Sequence, residues 1–331
     1  MRSYGAAGAV VAAAVALAAA AGSFSAYNLD LGVTLLVYLA IAQAWNVLGG
    51  YGGQVFLGSS AFVGTGGYAA GLLLLHSGAP WELSVAFAAA AGAAVATVLS
   101  VPLLRLRGDY FAIGSLAGAL ALLALVQNWT WAGGASGLTM PIDRLPTGTT
   151  LFRAAVLIAG LATLATVFAA RSSFGLRLTA IRDNEPAAAG LGVSVYRHRL
   201  AALVLASALI AAAGALAAFQ TIAVSPDGAF TFGWSLDALL MTVIGGAGTI
   251  LGPFVGVAVV YWGLTKELAN AQTLALFLEG ALLVVVVRFA PRGIWPLALG
   301  LAARFRTPRH DEPVLESPQA APPISLESEL V

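Results

Sequence analysis

The chain contains no cysteine in 331 residues, which excludes disulfides, thiolate metal centres and cysteine nucleophiles. Charge is scarce too. Only 9% of residues are Asp, Glu, Lys or Arg, and they almost cancel to a net charge of +1. That balance leaves no electrostatic footprint for nucleic acid. Histidine occurs at His76, His198 and His310 alone, without metal-ligand spacing. No G-x-x-x-x-G-K-[ST] loop is present, so the chain lacks the usual cradle for nucleotide phosphates.

What is abundant is apolar surface. Hydrophobic residues make up 60% of the chain, and the mean hydropathy is +0.90. A soluble globule of this size needs a more polar exterior. Runs of roughly 18 or more apolar residues are long enough to cross a bilayer as helices. The 38 glycines agree, because membrane helices use Gly for close packing. The fold class expected is an all-α polytopic membrane protein of roughly 8–10 transmembrane helices, with Gly-broken or re-entrant segments.

The spans read as residues 5–22, 29–48, 54–76, 82–104, 110–127, 151–170 and 200–221, a glycine-broken region at 236–264, and a last span at 273–287. The first could be a cleaved leader. A retained helix is the better reading because the topology closes with it. A membrane domain then covers residues 1–303. The Pro-rich, acidic stretch 304–331 reads as a disordered tail.

Basic residues collect in cytoplasmic loops beside helix ends. Arg2, the pair Arg105 and Arg107, the cluster across 171–199, and the arginines from Arg288 to Arg309 all fall on one side when the N-terminus is cytoplasmic. The C-terminus then lies on that side as well. Arg144 and Arg153 are exceptions, near the long outer loop. Parity requires 236–264 to begin and end outside, so it cannot be one straight helix. Its centre, "VIGGAGTILGPFVG" (243–256), holds five glycines and Pro253. Two antiparallel pieces are expected there. "VLGGYGGQVFLG" (47–58) resembles "VIGGAGTILG" (243–252). Such a pair could mark a solute route, or only the self-similarity of Gly-rich apolar sequence.

The loop "FGLRLTAIRDNEPAAAGLGVSVYRHRL" (174–200) carries four arginines and two acids in an otherwise charge-poor chain. Phe174, Leu178 and Ile181 share a helical face. Asn184 or Glu185 can cap a second helix with Pro186 in its first turn, Ala187–Ala189 as its body, and Gly190 or Gly192 as its end. Two short rigid helices are expected. Arginines there suit an acidic partner surface or anionic lipid, or simply enforce orientation.

Polar residues at membrane depth are the remaining candidates. Gln54, Ser59, Ser60 and Thr65 sit on a Gly-rich span and read as a solute path more readily than as helix-to-helix bonds. Glu279 lies mid-span, serving either structure or mechanism. Asp237, near an outer end, and Asp109, at a helix start, read as caps. Trp81, Trp129, Trp131 and Trp262 read as interfacial anchors.

Several motifs together resemble one family. They are "GYGGQVFLGSSAFVGTGGYAAGLL" (50–73), "LRLRGDYFAIGSLA" (104–117), "GGASGLT" (133–139), "SSFGLRLTAIRDNEPAAAGLGVSVYRHRLAALVLASALIAAAGAL" (172–216), "SPDGAFTFGWSLDALLMTVIGGAGTILGPFVG" (225–256) and "APRGIW" (290–295). In this order, over 29–295, they resemble the permease subunits of branched-chain amino acid ABC importers. Ser59 departs from the family, which often has His there. The 171–199 loop is only loosely similar to the Glu-Ala-Ala loop of other ABC importers.

The resemblance implies a multi-pass permease of the inner membrane that does no covalent chemistry. ATP would be used by partner ATPase subunits, and no cofactor or metal would be bound by this chain. It also implies a second homologous permease and a soluble substrate-binding protein as partners. Phe174, Arg177, Ile181, Arg182, Asn184, Glu185, Pro186 and Gly190 would form the loop on which the ATPase docks. Gln54, Ser59, Ser60, Thr65, Gly245, Gly246, Gly248 and Glu279 would line the route. Leu, Ile and Val are the implied cargo, with other amino acids or amides as relatives of it. The alternative reading is an ion-coupled secondary carrier, which would need a titratable group such as Glu279 at mid-membrane.

Overall fold

The computed structural model describes residues 2–261, together with 280, 281, 284, 288 and 293–297. It is a helical bundle. Its elements are α1 (Arg2–Ala20), α2 (Ala26–Asn46), α3 (Ser59–Ser77), α4 (Trp81–Leu103), α5 (Asp109–Gln127), α6 (Gly148–Arg171), α7 (Ser173–Asp183), α8 (Glu185–Gly190), α9 (Val195–Thr221), α10 (Pro226–Ala229), α11 (Gly233–Gly245) and α12 (Gly252–Val260). The one sheet among the described residues pairs β1 (Leu138–Thr139) with β2 (Ala223–Val224), antiparallel, Leu138 opposite Val224. Six helical stretches among these residues are long and apolar enough to span a membrane: Ala26–Tyr51, Trp81–Leu103, Asp109–Gln127, Gly148–Arg171, Val195–Thr221 and Pro226–Gly245. The protein is a multi-pass membrane protein. Most of the last expected span, and the 304–331 tail, lie outside the described residues.

In such a bundle lipid is as apolar as leucine, so helices associate through close packing of small residues. The core follows that rule. A Cβ on Gly66 of α3 would fall on the Ala211 carbonyl of α9. One on Gly214 of α9 would fall on the Val63 carbonyl of α3, and one on Gly92 of α4 on the Ala211 methyl. These glycines let α9 lie backbone to backbone against α3, and α4 press close beside it. Helix α1 packs on α6, where Gly160 faces Ala14.

The chain winds between two ends of the bundle. One end carries α7 and α8 and is called here the loop end. The other carries the β1–β2 pair. Both arginines that break the charge rule lie at the second end and close helices there. Arg144 Nη1 donates to the Leu74 carbonyl in the last turn of α3 at 3.1 Å. Arg153 Nε donates to the Ala18 carbonyl in the last turn of α1 at 3.3 Å. A cation on the free carbonyls of a helix C-terminus is favourable whichever side of a membrane it faces.

The expected span over 54–76 takes a different form. Helix α2 runs on through a π-helical turn at Val47–Tyr51. Residues 52–58 are then irregular, and α3 starts only at Ser59. Gly53, with φ of 68°, makes the turn. Irregular backbone inside a bundle must be satisfied by protein. Here Trp45 Nε1 donates to the Phe56 carbonyl at 2.7 Å, and the Leu57 N–H reaches Ser115 Oγ at 3.0 Å. Phe56 is sealed between Phe62 and Phe111. The first turn of α3 is therefore buried, with the Ser60 N–H donating to Ser235 Oγ of α11 at 2.9 Å.

The glycine-broken region is a helical hairpin, as parity requires. A Cβ on Gly245 of α11 would strike the Gly252 carbonyl of α12, and one on Gly256 would strike the Met241 carbonyl. These pairs run in opposite senses along the two helices, so α11 and α12 are antiparallel. Their turn, at 246–251, contains Gly246 (φ 127°) and Gly248 (φ 75°), conformations that favour glycine.

Candidate functional site

Three features meet at the loop end: the two-helix loop, the π-turn of α2, and the tip of the α11–α12 hairpin. The loop is stiff for local reasons. Ser172 caps α7, its Oγ accepting from the Gly175 N–H. Asn184 caps α8, its Oδ1 accepting from the Ala187 N–H at 3.0 Å, with Pro186 in the first turn. Past Gly190, Gly192 takes φ of 83° and ends the helix. Gly175 lies against the Ala169 carbonyl of α6, where a side chain would not fit. Leu178 and Ile181 are fully buried, and Phe174 stacks between Phe168 and His198. The expected apolar face thus welds α7 to α6 and α9.

The loop's charges divide into two groups. Arg182 turns into the bundle: Nη1 donates to the Gly50 carbonyl of the π-turn at 3.0 Å, and its stem lies over Gly53. Its Nε is held by Asp183 at 2.9 Å. Glu185 is tied back to Arg199 at 2.7 Å, bracing α8 against α9. Arg177 is exposed, as are the uncharged Pro186 and Gly190.

The two similar glycine segments lie against each other. Buried Asn46 joins them: its Oδ1 accepts from the Gly248 N–H at 2.8 Å and its Nδ2 donates to the Thr249 carbonyl at 2.8 Å. Gln43, a turn earlier, donates to the Ile250 carbonyl at 2.9 Å. A Cβ on Gly50 would collide with the Asn46 amide and sit against the Gly248 nitrogen. Arg182 also reaches Gly248, its Nη1 lying 3.4 Å from where a Cβ there would be. One guanidinium therefore bonds the first turn and lies close beside the second.

Gln54, Ser59 and Ser60 are buried along the irregular stretch and the first turn of α3. Gln54 Oε1, Ser59 Oγ and Ser60 Oγ each lack a hydrogen-bond partner. An unsatisfied buried polar atom costs about 1–3 kcal/mol, so three in one segment want an explanation. Thr65 is placed differently. Its Oγ1 bonds the Ala61 carbonyl at 2.6 Å within α3, and the residue lines an apolar groove of about 420 Å³ between α3, α4 and α5. Further along α3, Val63 and Gly67 line a separate cavity at the end opposite the loop. Gly245, Gly246 and Gly248 form the hairpin tip. Glu279 lies outside the described residues.

Comparison with known proteins decides the family. The model of the branched-chain amino acid transport system / permease component family matches residues 27–287. The chain belongs to this family. Similar relatives include the high-affinity branched-chain amino acid transport system permease protein LivM of Salmonella typhimurium and that of Escherichia coli. Each is 27% identical over 304 residues, covering 82% of this chain and 70% of the relative. A probable branched-chain amino acid transport permease protein LivM of Methanocaldococcus jannaschii is 25% identical over 236 residues, covering 65% of this chain and 68% of its own. No solved structure matches the chain.

The permease also shows surface that sequence reasoning passed over. Leu176 is 73% exposed and Leu191 85% exposed, and Tyr196 is exposed beside them in chain order at the start of α9. Large apolar side chains on a loop rich in charge suit protein contact. The signal was present: Leu176 falls off the Phe174–Leu178–Ile181 face, and Leu191 stands between two glycines past the end of α8. Asn46 and Gln43 were missed because, inside an apolar run, nothing local distinguishes a tie to a hairpin some 200 residues away.

Proposed function

We propose that this permease is the membrane-spanning subunit of an ATP-driven importer that carries branched-chain amino acids across the inner membrane, its loop end and both termini cytoplasmic. The chain does no covalent chemistry. Partner ATPase subunits burn ATP, a second homologous permease completes the pathway, and a soluble binding protein delivers cargo from outside. Lipid surrounds the bundle, and nucleic acid plays no part. The relatives' names supply the cargo class.

One observation carries the coupling: a braced two-helix loop is bonded through Arg182 to the Gly50 turn, which is itself locked to the hairpin tip by Asn46. A rigid lever on a flexible glycine hinge transmits displacement, whereas a floppy loop absorbs it. Closure of the ATPase pair would press on Leu176, Leu191 and the exposed faces of α7 and α8. Movement of α7 would then reach both glycine turns at once. The unpartnered oxygens of Gln54, Ser59 and Ser60 lie just above those turns, on the segment that would line the route. Their lone pairs would be satisfied when the route opens to water and solute.

The test is uptake of radiolabelled leucine into vesicles holding the whole reconstituted assembly. Uptake should need ATP inside the compartment that faces α7 and α8, and should survive ionophores. Uptake that ignores nucleotide but collapses with the ion gradient would make the protein an ion-coupled carrier instead.

A further inference from the structure

The end of the bundle opposite the loop holds a cavity of about 700 Å³, lined from α2, α3, α9, α10 and α11. That falls within the ordinary size of small-molecule sites. Its lining has a distinct chemistry. Asp30 stands at the rim beside Thr34 and Gln220, and Val37, Tyr38, Val63 and Trp234 form the apolar wall. The Tyr38 and Trp234 rings pack at 5.3 Å, giving that wall a broad aromatic face. Among the described lining residues there is one carboxylate and no lysine, arginine or histidine.

The rim is preorganised. Gln220 Nε2 shares its two hydrogens among Asp30 Oδ1 at 2.7 Å, the Asp30 carbonyl at 3.0 Å and Thr34 Oγ1 at 2.9 Å. The amide thus fixes the carboxylate in place without neutralising it. Asp30 takes part in none of the ion pairs among the described residues. A carboxylate offers about four acceptor sites, and Gln220 occupies one of them.

We propose that this cavity is a subsite for a small primary ammonium with an apolar side chain, with Asp30 as the group that receives the ammonium. The proposal rests on the transport reading and refines it, since it says which end of an amino acid the permease grips. With one acid and no base among its described lining residues, the cavity reads the ammonium and leaves the carboxylate to solvent and the Ser225 hydroxyl, the Thr34 and Thr221 hydroxyls being committed to backbone carbonyls. A branched aliphatic side chain packs on Val37, Val63 and the Tyr38–Trp234 face. Solutes that are only anionic meet the Asp30 carboxylate, which has no ion-pair partner among the described residues, and are refused.

The experiment is binding of tritiated leucine to the purified nucleotide-free assembly without the soluble binding protein, competed by two analogues. 3-Methylbutylamine, which keeps the ammonium, should compete. 4-Methylpentanoate, which keeps only the carboxylate, should not. Asp30→Asn should weaken binding about tenfold or more, the range for losing a charge-assisted hydrogen bond, and Asp30→Glu less. Ala217→Phe, which fills the cavity from α9 and leaves Asp30 intact, should also weaken binding; an unchanged melting temperature for either variant shows that it is folded. Undiminished binding in both folded variants, equal competition by the acid, or no saturable binding to the wild type overturns the subsite. ATP-dependent uptake by the same wild-type assembly is read separately. If uptake persists while the subsite fails, the transport reading stands. If uptake is absent while the amine still competes, the transport reading fails and the subsite stands.

Discussion

Replacing Arg182 with methionine should separate docking from coupling. Methionine keeps part of the stem that covers Gly53 and removes the guanidinium that donates to the Gly50 carbonyl at 3.0 Å. A hydrogen bond from a charged group contributes about 1.5–3 kcal/mol. The Arg182 side chain is 38% exposed, and solvent screening reduces that to about 1–2 kcal/mol. Spent on coupling two conformations, this corresponds to a factor of about 5–30. The ATPase should still co-purify with the variant, because Arg182 turns into the bundle while Leu176, Leu191 and Arg177 stay outside. The assay is leucine uptake and phosphate release measured in the same vesicles. Solute moved per ATP should fall about fivefold or more, with hydrolysis retained. An unchanged ratio would refute the lever. Loss of co-purification would show that Arg182 meets the partner and not the Gly50 turn.

Other outcomes follow from the same geometry. Leu191→Asp, at a position 85% exposed, should abolish co-purification of the ATPase and leave the melting temperature in detergent unchanged. Asn46→Leu leaves the Gly248 N–H and the Thr249 carbonyl without their partner, at a cost of about 2–6 kcal/mol, and thermal melting should fall accordingly. Gly256→Val forces a side chain onto the Met241 carbonyl and should destabilise the hairpin by about 3 kcal/mol or more. Gly190→Ala, which meets nothing within 4 Å, should be tolerated; similar melting of these two variants would contradict the hairpin packing. Glu185→Gln strips the charge that holds Arg199 and should lower stability by about 1 kcal/mol, read from the same melts at low salt.

Local rules read best where the chain answers to its neighbours in sequence. The Asn184–Pro186 cap and the Phe174–Leu178–Ile181 face were legible, because capping and helical period act within a few residues; the antiparallel break in 236–264 was legible from the parity of crossings together with its glycines. The start of α3 was not. No Asp, Glu, Lys, Arg or Pro interrupts 54–76, yet the helix begins at Ser59. What holds residues 52–58 open is Trp45 and Ser115, reaching from α2 and α5, while Ser235 of α11 takes the Ser60 N–H at the start of α3. Arg144 and Arg153 teach the same point. As charges they break the pattern of sides; as caps on Leu74 and Ala18 they obey a rule that only the fold reveals.

The sequence by itself determined that the chain lives in a membrane, that it folds as helices, where several of its long spans run, and that its scarce charge gathers on one rigid loop. Hydropathy and helical period are summed along the chain, so they survive without knowledge of partners. Only the tertiary structure decided that Arg182 faces inward to Gly50, that Asn46 binds the two glycine turns together, and that Asp30, Gln220 and Trp234 share a cavity. Those contacts join residues 132 to about 200 positions apart, and a hydrogen bond of 3 Å carries no trace in either local segment.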